Sequence, residues 1–189
     1  MTVIAAAITE EDGVVIVGDS EITYDWTKDN DGYSKVWVAD SQSYIFGSCG
    51  SLRVMQILKH WVEWPYFHDH HEDIEAFVVR EVIPKIRDSL FEHGVMEVSK
   101  KTENFSGDII MAWDDYLVVI DGSLSVQIPA SGRYAIGSGM QESLGALGNE
   151  GPWTKEDVIE AARRATITAI GVGGPLWVAT TESMTVEKV

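Results

Sequence analysis

The sequence predicts an α+β protein in which strands and helices lie in separate layers. Three observations lead to this prediction. Strand and helix patterns occur in blocks, in the order strands, helices, strands, helices, strands. The chain has 189 residues, of which 45% are hydrophobic and 23% charged, the proportions of an ordinary globular domain. No repeat, low-complexity tract or linker interrupts it, so residues 1–189 are expected to form a single domain.

The first block contains four strand patterns, which predict a four-stranded sheet. They cover residues 2–9, 13–19, 34–39 and 43–49. Glu11-Asp12-Gly13 between the first two is typical of a hairpin turn. Residues 20–33 are polar and rich in turn residues, so a loop or a ragged sheet edge is expected there.

Helical periodicity begins after Gly50-Ser51. Apolar residues recur at helical spacing from Leu52 to Val62, and Pro65 is expected to end this helix. A second helical pattern runs from Ile74 to Leu90. Pro84 lies inside it and predicts a kink or a break, because proline lacks the N–H that a helix interior needs.

The second half of the chain returns to strands and then to helices. Strands are predicted over residues 107–113, 116–121, 125–128, 134–136, 176–180 and 184–187. Helices are predicted over residues 139–147 and 154–169. Thr154, with Asp157 three residues later, forms a capping pair for the second of these helices.

Charge and cysteine content exclude several function classes. Lys and Arg number 14 against 30 Asp and Glu, so the net charge is -16, which argues against nucleic acid or a membrane as partner. The single cysteine, Cys49, cannot form an internal disulfide, which indicates a reducing compartment. The N-terminus resembles no targeting peptide, and no apolar run reaches the roughly 18 residues that span a bilayer. A cytoplasmic protein is therefore expected.

The N-terminus carries the most informative chemistry. Removal of Met1 would leave Thr2 as the first residue. A free α-amine has a pKa of about 8, so a terminal threonine combines a hydroxyl nucleophile with its own base. Taken alone, Thr2 is equally consistent with an ordinary start of a chain.

Four further positions could complete such a site. Asp19 ends the second strand and Lys35 opens the third. The positive charge of Lys35 would lower the pKa of the Thr2 amine and stabilise an alkoxide of Thr2. Gly47-Ser48-Cys49-Gly50 precedes the first helix, where a glycine N–H could bind an oxyanion. Ile136-Gly137-Ser138-Gly139 is a second glycine-rich turn, which would expose a hydroxyl. Each position, taken singly, also fits turn chemistry or a solvated charge.

Together these motifs resemble the proteasome β-subunit superfamily, which includes the bacterial HslV-type peptidase. The likeness in element order covers nearly the whole chain. It implies a four-layer αββα sandwich of the N-terminal nucleophile hydrolase type. It also implies Thr2 as nucleophile, Asp19 and Lys35 as the residues that tune it, Gly47 as oxyanion donor, and Ser138 as a relay for the proton of the amine.

The resemblance further implies a threonine peptidase or amidohydrolase without cofactor or metal. Peptides or unfolded proteins would be its substrates, within a homo-oligomeric ring that an ATPase or a cap can gate. One departure favours a rival, a non-catalytic subunit that serves as a scaffold. A supporting aspartate of the family falls on Ala169 or Ile170 here, and a serine falls on Val172.

Three other signals have ordinary explanations. Residues 68–73 (HDHHED) have ligand chemistry but no recognisable metal spacing, and a loop or a helix start is the preferred interpretation. The seven tryptophans are scattered, which favours core packing and an interface over base stacking. Cys49 is interpreted as a small buried residue, because the sequence offers no partner for thiol catalysis.

Overall fold

The computed structural model describes residues 1–24, 27–29, 33–39, 44–67 and 73–189. The strands before the first helix are β1 (Val3–Ile8), β2 (Val14–Gly18), β3 (Ile22–Tyr24), β4 (Thr27–Asp29), β5 (Val36–Val38) and β6 (Ile45–Gly50). The later strands are β7 (Glu97–Val98), β8 (Glu103–Asn104), β9 (Gly107–Trp113), β10 (Tyr116–Ile120), β11 (Val126–Gln127), β12 (Arg133–Gly137), β13 (Trp177–Thr180) and β14 (Val186–Lys188). The helices are α1 (Leu52–His60), α2 (Ile74–Phe77), α3 (Ile83–Glu92), α4 (Met140–Leu147) and α5 (Lys155–Thr168).

Two five-stranded antiparallel sheets form the centre of the described structure. The first has the strand order β12-β1-β2-β13-β14, and the second has the order β11-β10-β9-β6-β5. Small two-stranded ribbons, β3-β4 and β7-β8, lie outside them. The predicted α+β class is therefore confirmed.

Three apolar clusters show that the elements stack in four layers. Along β1, Val3, Ala5 and Ala7 contact the cluster that includes α5, while Ile4 and Ala6 contact the second sheet. This alternation follows from the two-residue period of a strand, and it buries both faces of β1. The outer face of the second sheet packs on α1 and α3 through the third cluster. The order helices, sheet, sheet, helices is the predicted αββα sandwich.

One prediction about the sheets is wrong. The first four strand patterns do not form a single sheet, because β1 and β2 lie in one sheet while β5 and β6 lie in the other. The β1-β2 hairpin is fully apolar on both faces, so it occupies the centre of its sheet and takes β12 and β13 from the second half of the chain as neighbours. Residues 20–33, expected as a loop or a ragged sheet edge, contain the β3-β4 ribbon.

The helical segment after residue 73 is irregular next to Pro84, where the sequence predicts a kink or a break. It runs without interruption from residue 74 to residue 92, but a π-helical turn at Val78–Val82 separates α2 from α3, and Pro84 lies in the first turn of α3. The first helix ends at His60, earlier than the expected stop at Pro65. The predicted capping box of Thr154 and Asp157 is present at the start of α5. Among the helices of the described segments, none is long and apolar enough to cross a membrane.

Candidate active site

Strand register brings Thr2 between Asp19 and Ser138. In the first sheet Val3 pairs with Gly137 and Ile4 with Gly18, so the residues just past these strand ends meet at one edge. The backbone N–H of Thr2 donates to Ser138 Oγ at 3.1 Å, and that hydroxyl lies 3.3 Å from the Thr2 carbonyl oxygen, to which it can donate. Thr2 itself is only 3% exposed.

Asp19 is a fully buried carboxylate that receives four hydrogen bonds. Its Oδ1 accepts from the Val3 N–H at 3.0 Å and from Lys35 Nζ at 2.8 Å. Its Oδ2 accepts from the N–H groups of Glu21 and Gly173 at 3.3 and 3.2 Å. These bonds tie the start of β1, the end of β2 and the residues after α5 to one side chain, and they orient the ammonium of Lys35.

The Asp19–Lys35 pair lies out of contact with bulk water, since Lys35 is only 3% exposed. Burial raises the pKa of Asp19, and the positive charge and hydrogen bond of Lys35 oppose this effect. Burial likewise lowers the pKa of Lys35, against the effect of Asp19.

Met1 covers the site. Its carbonyl oxygen accepts hydrogen bonds from Thr2 Oγ1 at 2.6 Å and from Lys35 Nζ at 3.1 Å. The hydroxyl of Thr2 and the ammonium of Lys35 thus converge on one carbonyl oxygen. Met1 is 58% exposed, in contrast to the buried threonine behind it.

A pocket of about 230 Å³ opens beside these residues. Its lining combines polar groups with an apolar wall: Met1, Thr2, Glu21, Ile22, Thr23, Tyr33, Lys35, Gly50, Leu52 and Met55. A pocket of this size can hold a side chain of a peptide next to the hydroxyl of Thr2.

The structure does not bring Gly47, the residue expected to bind the oxyanion, to this pocket. Gly47 lies inside β6, paired with Val36 and Ile110, and not in a turn. A side chain at position 47 would collide with Ile4 and Ile16 of the facing sheet. Glycine is therefore required there for the close packing of the two sheets.

Gly50, the second glycine of the same motif, lies at the pocket instead. Ser48 N–H donates toward β5, to the Lys35 carbonyl, and Ser51 N–H donates toward β9, to the Ser106 carbonyl. Successive N–H groups of a strand point in opposite directions, so the Gly50 N–H, between those of Cys49 and Ser51, points to the β5 side. No β5 residue pairs with Gly50 there, and the pocket lies in that place. Gly50 has φ +96, and an added Cβ would lie 2.5 Å from Gly107 Cα, so only glycine fits. Its position directly before α1 was the signal that could have identified it.

The turn after α5 supports the site through its backbone. Val172, at the position where the resemblance places a serine, is buried in the cluster between the first sheet and its helices. Ala169 only caps α5. Gly173 supplies the N–H that holds Asp19 and accepts a hydrogen bond from the Glu21 N–H at 2.9 Å. Within the described residues, Ser138 therefore contacts the Thr2 backbone rather than a side chain of this turn.

Cys49 is not a second candidate nucleophile. Burial raises the pKa of the Cys49 thiol to about 12, with a further contribution from Asp108, so this group stays protonated at neutral pH. Residues 68–72 lie outside the described residues, and Asp73 caps α2. In the segments that the structure describes, no three His, Cys, Asp or Glu side chains are grouped to hold a metal ion.

The fold is similar to solved structures of two proteins, one from Thiobacillus denitrificans and one from Trypanosoma brucei. BPH of Thiobacillus denitrificans matches with a TM-score of 0.75 and 18% identity, over 95% of this chain and 97% of that chain. The same protein in complex with epoxomicin matches with a TM-score of 0.72 and 17% identity, over 95% and 98%. Eukaryotic HslV from Trypanosoma brucei matches with a TM-score of 0.64 and 18% identity, over 94% and 98%.

No protein-family model and no curated protein matches this sequence. The likeness therefore lies in the fold, and it extends over nearly the full length of both partners in each comparison. The resemblance inferred from the short motifs is confirmed at this level. The chain has the fold of the solved BPH and HslV structures.

Proposed function

We propose that this protein is a proteasome-like threonine peptidase or amidohydrolase that becomes active when Met1 is removed. The observation that carries the proposal is the convergence on Met1. The Thr2 hydroxyl and the Lys35 ammonium both donate to the carbonyl oxygen of the residue that would be removed. Loss of Met1 would leave both groups facing the pocket, with the new α-amine still 3.1 Å from Ser138 Oγ.

The reaction begins with the Thr2 hydroxyl. Its proton passes to the free α-amine of the same residue while Oγ1 attacks the carbonyl carbon of an amide. The resulting tetrahedral oxyanion is stabilised by the Gly50 N–H and by the nearby positive charge of Lys35. The protonated amine then gives its proton to the leaving amine, and the C–N bond breaks to leave an ester on Thr2.

Water completes the cycle. The α-amine accepts a proton from a water molecule, which attacks the ester carbonyl, and the second oxyanion uses the same donors. Collapse releases the carboxylic acid and returns the proton to Oγ1. Ser138 acts as a positioning residue here, because its hydroxyl contacts the Thr2 backbone on both sides of the Cα atom.

Asp19 holds this arrangement together rather than reacting. Its carboxylate fixes Lys35, the start of β1 and the Gly173 turn at once. The similarly folded BPH has been solved in complex with epoxomicin, so this compound is a suitable probe for the pocket of this protein. We further propose a homo-oligomeric ring with peptide or unfolded protein as substrate and an ATPase or cap as partner, as the shared fold suggests.

The rival function is a catalytically inactive subunit that serves assembly. One observation favours it, namely that apolar residues occupy the positions where the resemblance expects an aspartate and a serine, with Val172 buried in the core. Against it stands the joint presence of Thr2, Asp19, Lys35 and Ser138 in one hydrogen-bonded cluster. A scaffold has no need of that cluster.

Intact mass of the purified native assembly separates the two functions. The active protein is expected to lack Met1 and to gain the mass of epoxomicin after incubation with it. Thr2→Ala should keep its fold and gain no mass, because the nucleophile is gone. Thr2→Ser is the matched control, which keeps a hydroxyl and should still react. A protein that lacks Met1 and gains no mass would favour the scaffold function.

A further inference from the structure

The peptide bond between Met1 and Thr2 is held at both of its polar atoms. Its carbonyl oxygen accepts hydrogen bonds from Thr2 Oγ1 at 2.6 Å and from Lys35 Nζ at 3.1 Å. Its nitrogen, which is the N–H of Thr2, donates to Ser138 Oγ at 3.1 Å. The bond that must be cut to free Thr2 is therefore fixed in place by residues from three separate parts of the folded chain.

The residues that follow this bond are fixed as well. Thr2 is only 3% exposed, and its carbonyl oxygen accepts from the Gly139 N–H at 3.2 Å. Val3 is fully buried, and its N–H donates to Asp19 Oδ1 at 3.0 Å. From Val3 onward the chain runs as β1, which is hydrogen-bonded to β12 on one side and to β2 on the other. One buried residue thus separates the Met1–Thr2 bond from the centre of a sheet.

The side chain of Met1 has its own contact surface at Gly171. This glycine has φ +71, and a Cβ added to it would lie 2.8 Å from Met1 Cβ and would collide with Met1 Cε. The absence of a side chain at position 171 therefore leaves room for Met1. Met1 also lines the pocket, and its exposure of 58% does not extend to Thr2 behind it.

These contacts conflict with the needs of an enzyme that removes one residue from a chain end. Such an enzyme must bind the terminal side chain in a pocket of its own and bring a water molecule to the carbonyl carbon. Here Met1 would have to leave Gly171, three hydrogen bonds at the peptide unit would have to break, and the start of β1 would have to move out of the sheet. Local openings of this kind are rare, because each lost contact adds to their free energy.

We propose that a separate methionine-specific aminopeptidase removes Met1 only before β1 joins the sheet, and that a chain which folds with Met1 in place stays closed. The reaction is a hydrolysis. The hydroxyl of water goes to the Met1 carbonyl carbon, its proton goes to the Thr2 nitrogen, and the C–N bond between them breaks to release methionine. The inference goes beyond the proposed peptidase, because the order of removal and folding does not depend on Thr2 being a nucleophile.

The test is a cell-free synthesis of the full chain with peptide deformylase present throughout. Purified methionine aminopeptidase is added to one sample during synthesis and to another after synthesis has stopped and thermal denaturation shows a folded protein. Intact mass then follows the loss of Met1 with time. Most chains should lose Met1 in the first sample, and the loss should be slower by at least about 100-fold in the second, as for a bond that is reached only through a rare opening. Equal rates in the two samples would overturn the inference.

The matched control carries Met-Thr-Gly-Ser-Gly in front of Thr2 in place of Met1. Its first residue lies on a flexible extension outside the closed site, so its methionine should be lost at similar rates in both samples. A control that is slowed as much as the wild type would show that the protection does not come from the site. Ser138→Ala removes the acceptor of the Thr2 N–H and should speed the late loss of Met1 by about 3- to 10-fold, the size expected for one hydrogen bond.

Thr2→Ala separates removal by the aminopeptidase from cleavage by the protein itself. It keeps a small second residue, so it should lose Met1 during synthesis like the wild type. A folded wild type that loses Met1 without added aminopeptidase, while Thr2→Ala keeps it, would show that Thr2 cuts the bond and would contradict the inference. Epoxomicin is then added to the chains processed during synthesis, and a failure to gain its mass there would count against the proposed peptidase alone.

Discussion

At the scale of single residues, the site depends on one buried ion pair. Asp19 carries its charge in a fully buried position, where Lys35 and three backbone N–H groups compensate it. Removal of the cation leaves the anion without a counter-charge, which costs more than loss of an exposed pair. The pair therefore decides both the shape of the site and part of the stability of the fold.

Lys35→Met should lower the free energy of unfolding by about 3 kcal/mol at pH 7, because a buried carboxylate loses its partner. It should also suppress epoxomicin adduct formation. The loss should shrink at low pH, since protonation of Asp19, whose pKa burial raises, removes the uncompensated charge. Urea denaturation at pH 4 and pH 7 measures this difference.

The matched control is Arg163→Met, which breaks an exposed pair with Glu160. It should cost less than about 1 kcal/mol and show little dependence on the protonation of a buried group. Equal losses in the two variants would contradict the account of the buried pair.

The clustering of four of these residues could be anticipated from the sequence. Thr2 and Lys35 lie directly before strands, and Asp19 and Ser138 lie directly after strands, so a meeting at the strand ends is expected. Gly47 and Gly50 could not be distinguished, because the choice depends on where β6 ends and on which way each N–H points.

At the scale of elements, β6 contains one glycine that packs between the sheets and one that lies at the pocket. Gly47 faces the opposing sheet in mid-strand, whereas Gly50 ends the strand at the pocket. The helices and hairpins were predictable from local periodicity, as the capping box of α5 and the β9-β10 hairpin illustrate. The partition of β1, β2, β5 and β6 between two sheets was not, because it depends on pairing with strands from the second half of the chain.

Gly47→Ala should lower the free energy of unfolding by about 1 to 3 kcal/mol, because the added methyl group forces Ile4 and Ile16 apart between the sheets. The rate of adduct formation per folded molecule should stay the same, since Gly47 does not reach the pocket. Thermal denaturation and adduct kinetics measure the two quantities separately.

Gly145→Ala is the control for the same change in open space. No atom lies within 4 Å of the added Cβ, and the residue is inside α4, where alanine favours the helix by up to about 1 kcal/mol over glycine. A fully folded Gly47→Ala variant that forms adduct far more slowly than the wild type would restore Gly47 as a residue of the site.

At the scale of the whole molecule, the four layers explain why the site lies where it does. Both central strands of the first sheet are covered on each face, so Thr2, directly before β1, is the place where chemistry can reach solvent through the pocket. The chain has a large acidic excess, with a net charge of -16. Among the described residues, only a few charged side chains are buried, and they lie at this site.

Assembly is the prediction that belongs to this scale. The proposed ring should give a native mass that is a multiple of the 20.9 kDa protomer, stable to moderate salt and dilution. Native mass spectrometry, with light scattering as a second method, measures it. A monomer of 20.9 kDa that forms the adduct at full rate would exclude the ring while keeping the peptidase.

The most direct test of the central claim is the intact mass of the native protein before and after incubation with epoxomicin. The account predicts a chain that begins at Thr2 and gains one molecule of the compound, with no gain in Thr2→Ala. A chain that lacks Met1, keeps its fold and gains no mass, or a Thr2→Ala variant that still gains it, would contradict the assignment of Thr2 as the nucleophile.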